Sequence, residues 1–423
     1  MNKLKNEVTY IPVLNGTVLN CAVREDLFID NKRMSFFTND GFMKYNKYLI
    51  NPFHHADMFV KIKKNKLLRP EDIILADSGG LQEITLNKIK YTPEEVFKWQ
   101  QEHSDIGFSV DCLPFITPKD GTNKPGSFGG WIFDKANFAK YAEKSKNNIE
   151  VTKKHRDREK YPDFNFYGII QGRNYDEYLE WYNILKDEEY LDGYCCKAPN
   201  INPLTLAETA IFAIKNIKTP IHFLGIGNIS RAIVLYYAGR YFNYPITYDS
   251  SSYDVGTQFR TWLNPLMFNK KVRLVSQNNI DNEDKDLSSE SDIMYMKDLS
   301  KICNCTACKA MSGMTGKMID ENSNKLGSLL SLHNLDLNIR INEYVKVIME
   351  HDNKSRKPGE PINAKLKEFV ESNFENSTKE KILNAFDMID LAMTKGHEYA
   401  TRMYKDKMQT NTVAGLQKGI FDF

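Results

Sequence analysis

Short apolar runs that each stop at an acid, an amide or a glycine recur through the first part of this chain. Ile73-Ile-Leu-Ala stops at Asp77, and Ile106-Gly-Phe-Ser-Val stops at Asp111. Phe166-Tyr-Gly-Ile-Ile stops at Gln171 and Gly172, Ile221-His-Phe-Leu at Gly225, and Ile246-Thr-Tyr at Asp249. Tyr194-Cys-Cys-Lys reads as a further strand. Apolar runs without strict alternation suit strands covered on both faces. Between them lie helix signals. Thr92 caps, Pro93 takes the first helical position and Glu95 completes a capping box. A charged helix follows at roughly 134–158, then helices from Asp176 to Leu185 and from Pro203 to Ile217, and an amphipathic one from Ser230. Strands that alternate with helices predict a parallel sheet. Polar residues at the end of strand after strand predict one shared face. Together they predict an α/β fold, a (β/α)8 TIM barrel with its site at the C-terminal face. A doubly wound sheet is the alternative, and it would carry one nucleotide-type glycine loop instead.

The strand ends suggest chemistry. Three serines follow Asp249, and hydroxyls orient a carboxylate without crowding what approaches it. Strand-ending aspartates also cap turns and helices, so Asp249 alone decides nothing. Ser78, Gly79 and Gly80 form a tight turn whose glycines let a ligand approach the main chain. The segment 117–130 is rich in Pro, Gly, Lys and Thr and reads as a loop or lid. Val8 to Leu14 and Met34-Ser-Phe-Phe read as two more strands. The adjacent His54 and His55 point in different directions and read as structural. His222, inside a buried run, reads as a structural histidine with satisfied ring nitrogens.

The chain has 423 residues and a net charge of +2, so a nucleic-acid partner would have to meet a local basic face. Seven cysteines is an odd number, and Cys303, Cys305 and Cys308 lie within six residues. That clustering favours a metal over disulfides. With His333 they make a Cys3His set, whose four protein ligands close the shell of a structural zinc. Cys21, Cys112, Cys195 and Cys196 read as free thiols. Residues 277–292 are polar and charged, as in a linker. The expected organisation is a catalytic barrel over 1–276, a linker and zinc subdomain over 277–340, and a helical region over 341–423 that completes the barrel. A Lys-Pro-Gly break falls at 357–359. No apolar run spans a bilayer and no signal segment is evident, so a cytoplasmic protein without a membrane partner is expected.

From about residue 70 to about 340 the chain resembles the tRNA-guanine transglycosylases. Asp77-Ser-Gly-Gly-Leu-Gln82 is similar to that family's Asp-Ser-Gly-Gly-Phe-Gln. Gly168-Ile-Ile-Gln171-Gly172 is similar to its Gly-Ile-Val-Gln-Gly, and Phe223-Leu-Gly-Ile-Gly227 to its Leu-Met-Gly-Val-Gly. The cysteine knuckle and Leu332-His333-Asn-Leu335 match its zinc site in order and spacing. Three departures stand out. Ser250-Ser-Ser-Tyr replaces the family's Met-Pro-Thr-Arg-Asn, and Tyr194-Cys-Cys-Lys-Ala-Pro replaces its Gly-Gly-Leu-Ala-Val-Gly. Asp111-Cys112 matches its Asp-Glu-Cys with one residue missing. The pattern is similar to the branch that inserts 7-deazaguanines into DNA.

The resemblance implies a pentosyltransferase that exchanges guanine in DNA for a base such as 7-cyano-7-deazaguanine. It implies Asp249 as nucleophile, Asp77 as general acid and base, and Asp111 with Gln171 as readers of the purine edge. Ser78, Gly79, Gly172 and Gly225 are the further substrate-binding candidates. Arg260, Lys119 and Lys124 are candidates for phosphate contacts. In a duplex the guanine must be flipped out, which suggests an ATP-dependent strand-opening partner. A homodimer is compatible with the resemblance. The alternatives are a tRNA substrate, a non-catalytic zinc-containing nucleic-acid-binding barrel, and a barrel hydrolase acting on a small molecule.

Overall fold

Eight parallel strands close on themselves into a (β/α)8 barrel in the computed structural model of the chain. They are β1 (Val8–Leu14), β2 (Lys47–Ile50), β3 (Ile73–Ala76) and β4 (Ile106–Phe108), then β5 (Asn165–Gln171), β6 (Gly193–Lys197), β7 (Ile221–Leu224) and β8 (Ile246–Ser250). Each pairs with its neighbours in chain order, and β8 returns to β1 with Tyr10 opposite Tyr248 and Ile11 opposite Asp249. The structure describes residues 4–408 apart from 25–26, 30–31, 36–37, 43, 80–90, 117–131, 198–201, 252, 254–260, 267–270, 276–292, 296–297, 315–322, 356 and 358–359. The candidate lid at 117–130, the linker at 277–292, and Lys119, Lys124 and Arg260 lie outside the described residues.

The unbroken apolar runs are explained by two layers of burial. Ile73 and Leu75 fill the barrel interior with Ile11, Leu49, Ile106, Phe108, Tyr167, Ile169 and Cys195. Ile74 and Ala76 belong to the outer layer, between strands and helices. Both faces of β3 are therefore covered, and alternation has no reason to appear. Each buried Ile or Leu contributes on the order of 2 kcal/mol. The same geometry places Thr247 and Asp249 of β8 inward, because Ile246 and Tyr248 lie in the outer layer. Strand β2 escapes the sequence reading because its four residues follow a polar, Lys-rich stretch. Met34 and Ser35 are buried beyond a short pairing of Phe28–Ile29 with Lys32–Arg33 and are not in a strand, while Phe36 and Phe37 of the expected strand lie outside the described residues.

Helices α1 (Gly16–Cys21), α2 (Pro52–Lys64), α3 (Pro93–His103), α4 (Phe138–Lys153), α5 (Tyr175–Leu185), α6 (Pro203–Asn216) and α7 (Ile229–Ala238) follow β1 to β7 in turn. The capping box at α3 forms as read: Thr92 Oγ1 accepts the Glu95 N–H at 3.2 Å, and Glu95 Oε2 accepts the Thr92 N–H at 2.8 Å. After β8 comes a small sheet of β9 (Thr261–Leu263), β10 (Lys271–Val275) and β11 (Ile293–Tyr295). Then follow α8 (Thr306–Ser312) and the long α9 (Ser323–Ser355), which packs on α7, α1 and β1. The boundary placed at 340 thus falls inside α9, the helix that completes the barrel wall. Beyond it run α10 (Ala364–Asn373), α11 (Asn376–Lys395) and α12 (His397–Met408).

Helix α7 differs from its sequence reading. It is buried along its whole length rather than on one face, because α9 and α11 cover its outer side. Tyr237 of α7 stacks on Phe386 of α11 with ring centroids 4.1 Å apart. A helix apolar all round is a covered one. Among the described residues no helix is long and apolar enough to cross a membrane.

Candidate active site and metal centre

Asp249 stands at the C-terminal end of β8, facing the barrel axis. Its Oδ1 accepts the Gly225 N–H at 2.8 Å and lies 3.0 Å from His222 Nε2. His222 Nδ1 lies 2.8 Å from Thr247 Oγ1. One tautomer satisfies all three groups: the Thr247 hydroxyl donates to Nδ1, and Nε2–H donates to the carboxylate. His222 is fully buried, and an unbonded imidazole there would cost about 2 kcal/mol or more. The sequence reading of a satisfied histidine holds, but its partner is the candidate nucleophile itself. The turn after β7 is clamped too, since the Ile226 N–H donates to the Asp249 carbonyl at 2.8 Å. Gly225 has φ +68°, where a side chain is strained. A Cβ there would also lie 2.8 Å from Lys197 Nζ.

Asp77 follows β3 on the same rim. Its Oδ1 accepts the Ser78 N–H at 2.7 Å, and its Oδ2 accepts from Asn51 Nδ2 at 3.0 Å. Burial, and then the charge of Asp249, push the Asp77 carboxyl up to about 6 against the pull of the Ser78 and Gly79 backbone N–H groups. Gln100 of α3 sets this strand end from behind. Its Nε2 donates to the carbonyls of Asp77 at 3.0 Å and Phe108 at 2.9 Å, tying the ends of β3 and β4 together.

Asp111 lies just past β4. Its Oδ2 accepts from Gln171 Nε2 at 2.5 Å, and its Oδ1 faces Ser78 Oγ at 3.4 Å. Burial raises its carboxyl, and the Gln171 bond opposes that. Cys112 anchors this segment to α4 through its N–H, which donates to Ser145 Oγ at 2.8 Å. Gly172 lies against α5, where a Cβ would come within 2.8 Å of the Tyr178 ring. Its small size is thus explained by packing.

Three residues outside the sequence-derived set belong to this pocket: Asn51, His222 and Lys197. Lys197 ends β6, with Gln171 as its register partner on β5 and Leu224 on β7. Burial pulls its ammonium down from the usual range, while the charges of Asp249, Asp77 and Asp111 oppose that. Lys197 therefore shares the mouth of the barrel with three carboxylates, and the nearby Arg231 charge adds to the pull of burial.

No protein-family model matches this chain, and no curated protein matches it.

The second centre lies beyond β8. The ligand atoms of Cys303, Cys305, Cys308 and His333 lie within 4.8 Å of one another and could hold a metal ion. The three sulfurs approach His333 Nδ1 at 3.7, 3.4 and 3.2 Å. Local folding explains how they converge: Cys305 caps α8, and its sulfur accepts the Cys308 N–H at 3.3 Å. His333 comes from α9 and is fully buried. Its Nε2 donates to the Leu263 carbonyl at 2.9 Å, which leaves Nδ1 free to ligate. Trp262 of β9 stacks on the His333 ring at 5.1 Å and points its indole N–H at Cys308 Sγ, 3.4 Å away. Such an outer shell fits a ligating imidazole and thiolates. The other four cysteines, Cys21, Cys112, Cys195 and Cys196, are in no disulfide.

Proposed function

We propose that this chain is a pentosyltransferase, a guanine transglycosylase that exchanges guanine in DNA for a 7-deazaguanine base. The observation that carries the reading is an unequal pair of carboxylates on one barrel rim. Asp249 receives two donors on Oδ1, whereas Asp77 is pushed up to about 6 by burial and by Asp249. Two acids held in different environments are what a displacement at a glycosidic carbon needs.

The chemistry follows. Oδ2 of Asp249 attacks C1′ as the C1′–N9 bond breaks. The electron pair leaves with guanine, which takes the proton of Asp77. The incoming base then gives its N9 proton to the Asp77 carboxylate and displaces Asp249 from C1′. Asp111 accepts from N1–H and the exocyclic amine, and Gln171 holds that carboxylate in place. Backbone groups of the Ser78–Gly79 turn and of Gly225 line the same mouth. The Cys3His set suits zinc in a structural role; no reaction step passes through it.

The choice of DNA rests on the sequence beyond Asp249, where Ser250-Ser-Ser-Tyr departs from the tRNA enzymes. In the structure Tyr253 is buried and its hydroxyl donates to the Val13 carbonyl. Tyr253 therefore packs onto β1. The test is to incubate the purified chain with labelled 7-cyano-7-deazaguanine and either duplex DNA or bulk tRNA, then digest each polymer to nucleosides. A modified deoxynucleoside is expected. A modified ribonucleoside alone would replace DNA by tRNA, and label in neither, with single-stranded DNA also unreactive, would remove the enzyme reading.

A further inference from the structure

The exchange chemistry above makes no use of Lys197, yet its position is specific. Cys195, two residues earlier on β6, lies in the barrel interior, so Lys197 rises from the inward face of that strand. Gln171 stands in the same relation to Ile169 on β5 and is the register partner of Lys197. Gln171 donates to Asp111. On the other side, the Lys197 ammonium approaches Gly225, whose N–H holds Asp249. The cation thus stands between the carboxylate that reads a purine and the carboxylate that would take the sugar.

Guanine presents two donors, N1–H and the exocyclic amine, and beside them one acceptor, O6. A carboxylate serves the donors and repels O6. The neighbouring position therefore needs a group that only donates, and a lysine ammonium offers three donors and no acceptor. Position C7 lies on the O6 side of the ring, so whatever meets O6 also meets the substituent at C7.

We propose that Lys197 donates to O6 of the bound base and sets which base is accepted: 6-oxo bases with a neutral or acceptor group at C7 enter, and a base with a cationic aminomethyl group at C7 is refused. This rests on the transglycosylase reading and adds its base specificity. Lys197 is here a binding residue for the base. Burial, with the nearby Arg231 charge, pulls its ammonium down, and the charges of Asp249, Asp77 and Asp111 oppose that.

The test compares the full wild-type chain with Lys197→Met and Lys197→Gln. Incorporation of labelled guanine, 7-cyano-7-deazaguanine and 7-aminomethyl-7-deazaguanine is followed into DNA and into tRNA, and binding of the free bases is followed by calorimetry. Wild type should prefer the cyano base over the aminomethyl base. Lys197→Met should raise KM for guanine about ten- to hundredfold with little change in kcat, as expected for loss of a charge-assisted hydrogen bond to the base. Its preference against the aminomethyl base should collapse. Lys197→Gln keeps a donor without the charge, so it should recover part of the guanine affinity and none of the discrimination. Should Lys197→Met fail to fold, as judged by melting, the glutamine variant decides alone. An active wild type whose variants keep the same KM and the same preference overturns the assignment of Lys197 only. A wild type that neither exchanges nor binds any of the three bases overturns the transglycosylase reading, and this inference with it.

Discussion

Asn334 donates through Nδ2 to the carbonyl of Tyr253 at 3.3 Å. It follows the candidate metal ligand His333 in α9, and Tyr253 follows Asp249 by four residues. Asn334 also donates to the Thr261 carbonyl and accepts the Leu263 N–H, each at 2.9 Å. The candidate metal centre is therefore built into the support of the chain that follows the strand carrying the candidate nucleophile. Cys305→Ser is expected to lose about one zinc per chain and much of the folded stability. Metal analysis and thermal melting check this. A purified wild-type chain without bound metal would end the assignment.

His222 is expected to act by positioning Asp249. His222→Leu removes the Nε2 donor and should lower kcat by about tenfold to a hundredfold with little effect on KM. Asp249→Ala should abolish both exchange and the covalent adduct with a guanine oligonucleotide, whereas Asp77→Ala should form adduct slowly. Denaturing gels read the adduct. Wild-type kcat in His222→Leu, or adduct in Asp249→Ala, would contradict these roles.

The pH dependence has a definite sign. Asp77 has a folded value of about 6, above its ordinary 3.8, so the folded chain binds that proton more tightly. The stability it contributes is complete below the ordinary value and is lost as pH rises through about 6. Asp77→Asn should therefore gain in melting temperature relative to wild type at pH 8 compared with pH 4. Adduct formation in a single turnover needs the protonated acid and should fall above about pH 6. A flat profile from about pH 5 to 8 would remove Asp77 as the acid.

Gly225→Ala combines two costs. The φ of +68° disfavours a side chain, and the new Cβ would press on Lys197 Nζ at 2.8 Å. A loss of about 1–3 kcal/mol of stability is expected from the backbone alone. Exchange should fall further, because a backbone shifted by the side chain carries the N–H away from Asp249 Oδ1. Melting and kcat, measured together, separate the two effects, and an unchanged kcat would show that the turn takes a side chain without displacing the nucleophile.

The readable parts of this protein are those whose cause is local. The run Ile73-Ile-Leu-Ala needs only its own residues to announce a covered strand, and Asp77 at its end needs only to interrupt it. Three cysteines within six residues bring their sulfurs together through one short turn and the cap of α8. The pairing of Lys47–Ile50 with β1 and β3 was not legible, because Lys47 opens that strand and leaves too short an apolar run to announce it. Helix α7 read as amphipathic because its covers, α9 and α11, arrive from far along the chain.

The sequence by itself determined the barrel class, the strand-end acids and the candidate metal-binding set, because each is written in residue types and their spacing along the chain. Only the tertiary structure decided which neutral and cationic groups face those acids. Barrel closure brings Asn51 to Asp77 across 26 residues, His222 to Asp249 across 27, and Gln171 to Asp111 across 60. Lys197 joins them because β6 lies in register beside Gln171. Side chains on separate strands acquire a common environment only when the sheet closes, and the charge state of a buried acid is a property of that environment.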